Sequence, residues 1–259
     1  MKQMPTRTFK VDALNVQVYS GPDTLAQAAS QSVVKRLNRI LQQQSTATIV
    51  FATGQSQLGL LRHLRQDSTV DWSRVIGFHL DEFLGLSREH PASFNAYLHN
   101  QIAQWLPFRT FNYLNGNALE PIAECDRYTY LLTQDAIDIC LLGVGINGHL
   151  AFNDPAVANF DDPRWVKLVR LDTINRQQQL TSQHFSQLRD VPTHAITLSL
   201  KAIRNARYNL CCVTGYHKAD ILKTLLTIPP STACPASVLR LDSNGNNSLF
   251  TDESACQFF

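Results

Sequence analysis

The sequence predicts an α/β fold, a mainly parallel sheet covered by helices on both faces, and three observations carry that prediction. Short apolar runs alternate with amphipathic stretches along the chain. The most apolar run, Ile139-Cys140-Leu141-Leu142, has no polar position, as a strand buried on both faces requires. Neither an internal repeat nor a low-complexity linker divides the 259 residues, so one domain over 1–259 is expected.

The elements follow in order. Leu25, Ala28, Ala29, Val33, Leu37 and Ile40 recur at three- and four-residue spacing, which predicts a helix over 25–42. Residues 48–52 read as a strand, followed by a turn and a helix carrying Leu58, Leu61 and Leu64. Further strands are expected over 75–80, 137–144, 194–200 and 209–213, and a helix over 216–227 that Pro229-Pro230 stops. Residues 152–191 are the least regular stretch. They are too long for an ordinary connection and predict a lid, an inserted helix pair or both, with the lid placed at about 155–190.

Bulk properties exclude several classes. Hydrophobic residues make up 44% and charged residues 17%, a globular balance, and the net charge is +2. Lys35, Arg36 and Arg39, the densest basic group, lie at helical spacing and read as a solvated face, so no nucleic-acid partner is expected. No apolar stretch approaches the roughly 18 residues of a membrane span, and residues 1–12 lack the apolar core of a signal peptide. The six cysteines form no C-x-x-C pair and read as buried thiols; the expected location is cytoplasmic.

Ligands of open parallel sheets bind beyond the carboxyl ends of the strands. Polar groups stand at four such ends here. The first is Thr53-Gly54-Gln55-Ser56, a strand-to-helix turn whose free N–H groups suit a phosphate. At the second, Asp81-Glu82, either acid supplies a general base if partly desolvated, although acids also favour a helix N-terminus for structural reasons. The third runs from Gly143 to Pro155. Its glycines, Gly145 among them, let backbone approach a ligand, His149 is suited to moving protons near neutral pH, and Asn147 or Asp154 can orient its ring. The fourth carries Lys218 in the first turn of a helix, where a phosphate partner would offset the unfavourable dipole.

Rival motifs fit less well. Gly143 to Gly148 has the form G-x-G-x-x-G, but it lies in mid-chain and His149 would crowd a pyrophosphate. There is no P-loop, G-x-S-x-G elbow or H-E-x-x-H, so neither cofactor nor metal is expected.

At these residues the chain resembles the glucosamine-6-phosphate deaminase (isomerase) family, in the superfamily shared with 6-phosphogluconolactonase. The stretches ATGQSQLGLLRHL, VIGFHLDEFLGLSREHPASFNAYLH, YLNGNALEPIAECDRY, LLGVGINGHLAFNDP and VTGYHKADIL carry the likeness over about residues 45–225. The resemblance implies a three-layer Rossmann-like sandwich with a helical lid segment. It implies that Asp81 moves a proton between C2 and C1 of an amino sugar phosphate. His149 would open the pyranose ring, with Asn147 and Asp154 orienting it. Thr53, Gly54, Gln55, Ser56 and Lys218 would bind phosphate, and Glu82 and Gly145 join the expected substrate-binding set. The implied products are fructose 6-phosphate and ammonia, without a cofactor.

The chain departs from the family at several places. Asp154 stands where Glu is usual, one methylene shorter, and Gln55 and Gln57 replace the Gly, Thr and Pro of the phosphate turn. The lid arginine's position falls near Gln179; Arg176, one helical turn earlier, is the expected substitute. Val157 replaces the serine of allosteric members, so no effector site is expected. A lactone hydrolase and a non-catalytic sugar-phosphate sensor are the alternatives. The Asn-Gly-His-Leu-Ala-Phe-Asn context argues against the first, and the lack of room for a helix-turn-helix argues against the second. The sequence leaves open whether the chain forms a homo-oligomer.

Overall fold

A computed structural model describes residues 3–180, 185–241 and 246–259, apart from the side chain of Gln178. The elements follow the chain as β1 (Arg7–Val11), β2 (Leu14–Tyr19), α1 (Pro22–Gln43), β3 (Ala47–Phe51), α2 (Gln55–Gln66), β4 (Val75–His79) and β5 (Asp81–Phe83). Next come α3 (Phe94–Leu98), β6 (Thr110–Phe111), α4 (Pro121–Leu132), β7 (Ile139–Gly143), β8 (Val166–Arg170) and α5 (Thr173–Leu180). The chain ends with β9 (His194–Leu198), α6 (Leu200–Arg204), β10 (Tyr208–Val213), α7 (Ala219–Thr227) and β11 (Ser248–Asp252).

Eight strands form the main sheet in the order β1-β2-β11-β10-β7-β3-β4-β6. The β1–β2 pair is antiparallel and every other pairing is parallel. Alternation along the strands assigns each residue a layer. Ile139 and Leu141 of β7 pack with Leu25, Val33 and Leu37 of α1 and Leu60, Leu61 and Leu64 of α2. Their neighbours Cys140 and Leu142 face the opposite layer, with Tyr128 of α4, Ile203 of α6 and Leu225 of α7. The same alternation separates Cys211 from Cys212. All six cysteines are free and buried.

The strand expected over 75–80 forms as β4, one residue shorter, but the chain beyond it does not stay in a single sheet. β4 ends at His79, and Leu80 bridges two sheets, its N–H donating to Phe51 O at 3.1 Å and its carbonyl accepting from Leu198 N at 2.8 Å. β5 then joins a second, antiparallel sheet in the order β5-β9-β8, which also takes β9 away from the main sheet. Among the described residues the span 155–190 is not a pair of α-helices. It contributes β8 to that second sheet, and its α-helix among the described residues is α5; residues 181–184 lie outside them.

Candidate active site

The carboxyl ends of β3, β7 and β10, with β5 beyond β4, surround one cleft of about 760 Å³. Thr53, Gly54, Gln55, Ser56, Asp81, Gly145, His149 and Lys218 line it. Phe83, Phe94, Phe152 and Phe185 form an apolar wall, and Ile174, Gln177 and Gln179 reach it from α5.

The turn after β3 is shaped by Gly54, which adopts a φ of 101° and has no side chain to cap α2. Gln57 N–H donates back to Gly54 O at 3.0 Å, and the N–H groups of Gln55 and Ser56 before it are left for an anion. Tyr97 fixes this turn from α3, its hydroxyl donating to Gly54 O at 3.0 Å. Buried Gln57 does so from below, its amide donating to Leu142 O and to Ser56 Oγ, each at 3.1 Å. Lys218 arrives in the turn before α7, and its Nζ donates to Val144 O at 2.7 Å, which points the ammonium at the same end of the cleft. Burial lowers its pKa.

Asp81 opens β5 and is 7% exposed. Burial, followed by the charge of Glu82, raises its carboxyl well above the ordinary aspartate range, and no hydrogen-bond donor among the described residues reaches it. Its backbone is held by His79, whose Nδ1 lies 2.9 Å from Asp81 O. Leu114 N–H donates to His79 Nε2 at 2.9 Å, so the proton sits on Nδ1. Burial pushes the His79 pKa down to about 4 and keeps the ring neutral.

Glu82 does not join the cleft. Side chains of adjacent strand residues point to opposite faces, so Asp81 and Glu82 cannot both face it. Glu82 turns to a smaller cavity of about 210 Å³. There it accepts from Ser93 Oγ and from the backbone N–H groups of Phe83, Phe94 and Asn95 at 2.8–3.1 Å, bracing the start of α3.

His149 is set by its loop. Asn147 Oδ1 lies 2.7 Å and Asp154 Oδ1 3.1 Å from His149 Nδ1, which leaves Nε2 for the cleft. The shorter Asp154 side chain therefore still reaches the ring. Burial raises the Asp154 pKa, but contact with His149 and donors from Asn147 and Asn175 outweigh it, holding the carboxyl below its usual value. Gly145 lines the cleft and also makes room for the ring: a Cβ there would collide with the His149 imidazole.

Arg176 is also reassigned. Its guanidinium donates to Leu188 O and to Val191 O at 2.9 Å, tying down the segment after α5, and it does not line the cleft. The α5 residues that do are Ile174, Gln177 and Gln179. Sequence reasoning also missed His79, Tyr97 and Asn175. For Asn175 a local signal exists, since Asp172 three positions earlier is a helix-capping spacing, and Asp172 Oδ1 accepts Asn175 N–H at 2.6 Å. His79 and Tyr97 act through contacts that no spacing announces. Among the described residues no group of three or more His, Cys, Asp or Glu is arranged to hold a metal ion, and no helix is long and apolar enough to cross a membrane.

Residues 20–249 match the sequence family described as glucosamine-6-phosphate isomerases/6-phosphogluconolactonase. The chain is 35% identical over 231 residues to glucosamine-6-phosphate deaminase of Bacillus thuringiensis (strain Al Hakam), covering 89% of this chain and 84% of that one. The same figures hold for the Bacillus anthracis (strain CDC 684 / NRRL 3495) protein of that name. Among solved structures, a monomeric glucosamine-6-phosphate deaminase of the NagB superfamily superposes with a TM-score of 0.84 at 29% identity, over 94% of this chain and 99% of that one. A 6-phosphogluconolactonase from Shewanella baltica OS155 shares the fold, with a TM-score of 0.76 at 19% identity over 96% and 99% of the two chains.

Proposed function

The chain belongs to the glucosamine-6-phosphate isomerase/6-phosphogluconolactonase family, and we propose that it converts glucosamine 6-phosphate and water to fructose 6-phosphate and ammonia. The observation that carries this reading is the pairing, in one cleft, of a donor-free carboxylate at Asp81 with an imidazole at His149 held by Asn147 and Asp154.

The proposed steps follow from those groups. The phosphate lies at the start of α2 among Thr53, Gly54, Gln55 and Ser56, with Lys218 as counter-charge. His149 Nε2 moves a proton to the ring oxygen as the pyranose opens, a task that suits imidazole. Asp81 takes the proton from C2 and returns it at C1. Its raised proton affinity fits a base that must hold a proton between two carbons. The C2–nitrogen bond, now an imine, is hydrolysed by water and releases ammonia. In this reading Arg176 and Glu82 serve the scaffold. The substrate partner is a phosphorylated amino sugar rather than nucleic acid, and the site of action is the cytoplasm, where free buried thiols such as these persist.

Incubation with glucosamine 6-phosphate tests the proposal by release of ammonia together with fructose 6-phosphate. Absence of turnover with amino sugar phosphates overturns it. Hydrolysis of a sugar-phosphate lactone in their place assigns the chain to the other branch of the family.

A further inference from the structure

Behind His149 four side chains from two segments close a ring. Asn147 Nδ2 donates to Asp154 Oδ1 at 3.0 Å and lies 3.5 Å from Asp172 Oδ2. Asp172 Oδ1 accepts the backbone N–H of Asn175, and Asn175 Nδ2 returns to Asp154, 3.1 Å from each carboxylate oxygen. Asn175 is fully buried, in the first turn of α5. Its orientation is fixed from the far side, because Gln179 Nε2 donates to Asn175 Oδ1 at 3.3 Å, which leaves the NH₂ for Asp154. Gln179 itself lines the cleft.

We propose that Asn175 is a positioning residue for the proposed ring-opening step, transmitting the seating of α5 against the sugar to the Asp154–His149 pair. A sugar bound against Ile174, Gln177 and Gln179 holds α5 where Asn175 spans both oxygens of Asp154. Asp154 Oδ1 is shared among His149, Asn147 and Asn175, whereas the described donor to Oδ2 is Asn175. With that donor in place the carboxylate stays charged and its Oδ1 stays turned to His149 Nδ1, so Nε2 faces the substrate. Without it a buried oxygen is left unpartnered and the carboxylate is free to rotate. The inference rests on the deaminase reading for its chemistry, but its geometry is testable without turnover.

The test uses the full chain with Asn175→Leu, which removes the donor, and Asn175→Asp, which keeps the shape. With glucosamine 6-phosphate, Asn175→Leu is expected to lower kcat on the order of tenfold to a hundredfold with KM nearly unchanged, part of the ~10²–10⁴ that a positioned acid–base group supplies. Asn175→Asp sets a second carboxyl against Asp154, within an environment that also holds Asp172 and His149, with Asp81 and Lys218 across the cleft. Its activity is expected to fall at pH 8 and to recover as the pH is lowered, because the introduced carboxyl donates again once protonated. Independently of activity, carbonyl-carbon NMR titration of Asp154 is expected to move upward in Asn175→Leu. A wild-type pH profile for Asn175→Asp overturns the proposal, as does an unmoved Asp154 titration or a KM that rises in step with the fall in kcat. If wild-type protein releases no ammonia but the Asp154 titration moves as expected, the deaminase reading fails and the positioning role of Asn175 stands.

Discussion

Asp81 and Asp154 are both buried carboxylates, one opening β5 and the other in the loop after β7, and their surroundings push them in opposite directions. Asp81 has no donor among the described residues and the charge of Glu82 beside it, so burial dominates and its pKa rises. Asp154 is buried as well, at 1% exposure against 7%, yet contact with His149 and its donors hold it below the usual range. Burial alone therefore does not decide the direction of the shift. Neither does a count of donors, since Glu82 accepts four hydrogen bonds and is still raised; at Asp154 the contact with His149 adds to the donors and tips the balance. Asp81, with raised proton affinity, thus lines the cleft, and behind the cleft Asp154, with lowered proton affinity, holds the histidine, the division of labour expected of acid–base catalysis.

The largest test of that contrast is Asp81→Asn, which removes the proposed base and keeps its shape. Exchange of the C2 proton with solvent should fall by about 10³-fold or more, while phosphate affinity stays close to wild type. Isotope exchange at C2 measures the first and inhibition by a non-reactive sugar phosphate the second. Wild-type exchange in this variant would remove Asp81 from the mechanism.

Gly145→Ala attacks the other centre without touching a titratable group. The added methyl group displaces the His149 ring, so kcat should drop by about 10²-fold, as though the imidazole were lost, with KM little changed. Retained activity would show that the ring position is not limiting. Lys218→Met, at the anion end, should instead raise KM by about tenfold, since a hydrogen bond from a charged group is worth about 1.5–3 kcal/mol, with kcat less affected.

The smallest effects are the most direct reading of the contrast, because the two aspartates should have opposite signs. Asp81 binds its proton more tightly folded than unfolded. Stability is thus lost as pH rises from the ordinary aspartate range through its raised value. Asp154 binds its proton less tightly when folded, so its contribution is present above the ordinary range and is lost as pH falls through its lowered value. At pH 8, Asp81→Asn should melt a few degrees above wild type and Asp154→Asn a few degrees below, each kcal/mol shifting Tm by about 2–4 °C in a domain of this size. The Asp81→Asn difference should shrink as the pH approaches 4. Melting curves at pH 8 and pH 5 check both signs, and shifts of the same sign would break the comparison.

Much of the layering was legible because burial on both faces leaves a trace at every position of a strand. The helix read over 25–42 is α1, and the runs around Ile49, Ile139 and Leu210 are β3, β7 and β10. The second sheet was not legible, since β5 is only Asp81-Glu82-Phe83, β8 mixes Lys167 and Arg170 with its apolar residues, and β9 alone is apolar enough to read as a strand of the main sheet. In the site, Thr53 to Ser56, Asp81, His149 and Lys218 stood out as polar groups after apolar strands, and the fold brings them to one cleft. Glu82, expected beside the substrate, faces the smaller cavity, and strand alternation already set it opposite Asp81.

The sequence by itself determined the layered α/β plan and the strand ends at which chemistry can sit, because periodicity and turn residues are local properties. Only the tertiary structure decided which polar groups are bare and which are satisfied. Hydrogen-bond donors arrive from segments remote in sequence: Asn175 to Asp154, Leu114 to His79, and Ser93 to Glu82. The raised proton affinity of Asp81 follows from burial in the folded chain, and the state of Asp154 and the bracing of Glu82 follow from such remote partners, which no spacing in the chain records.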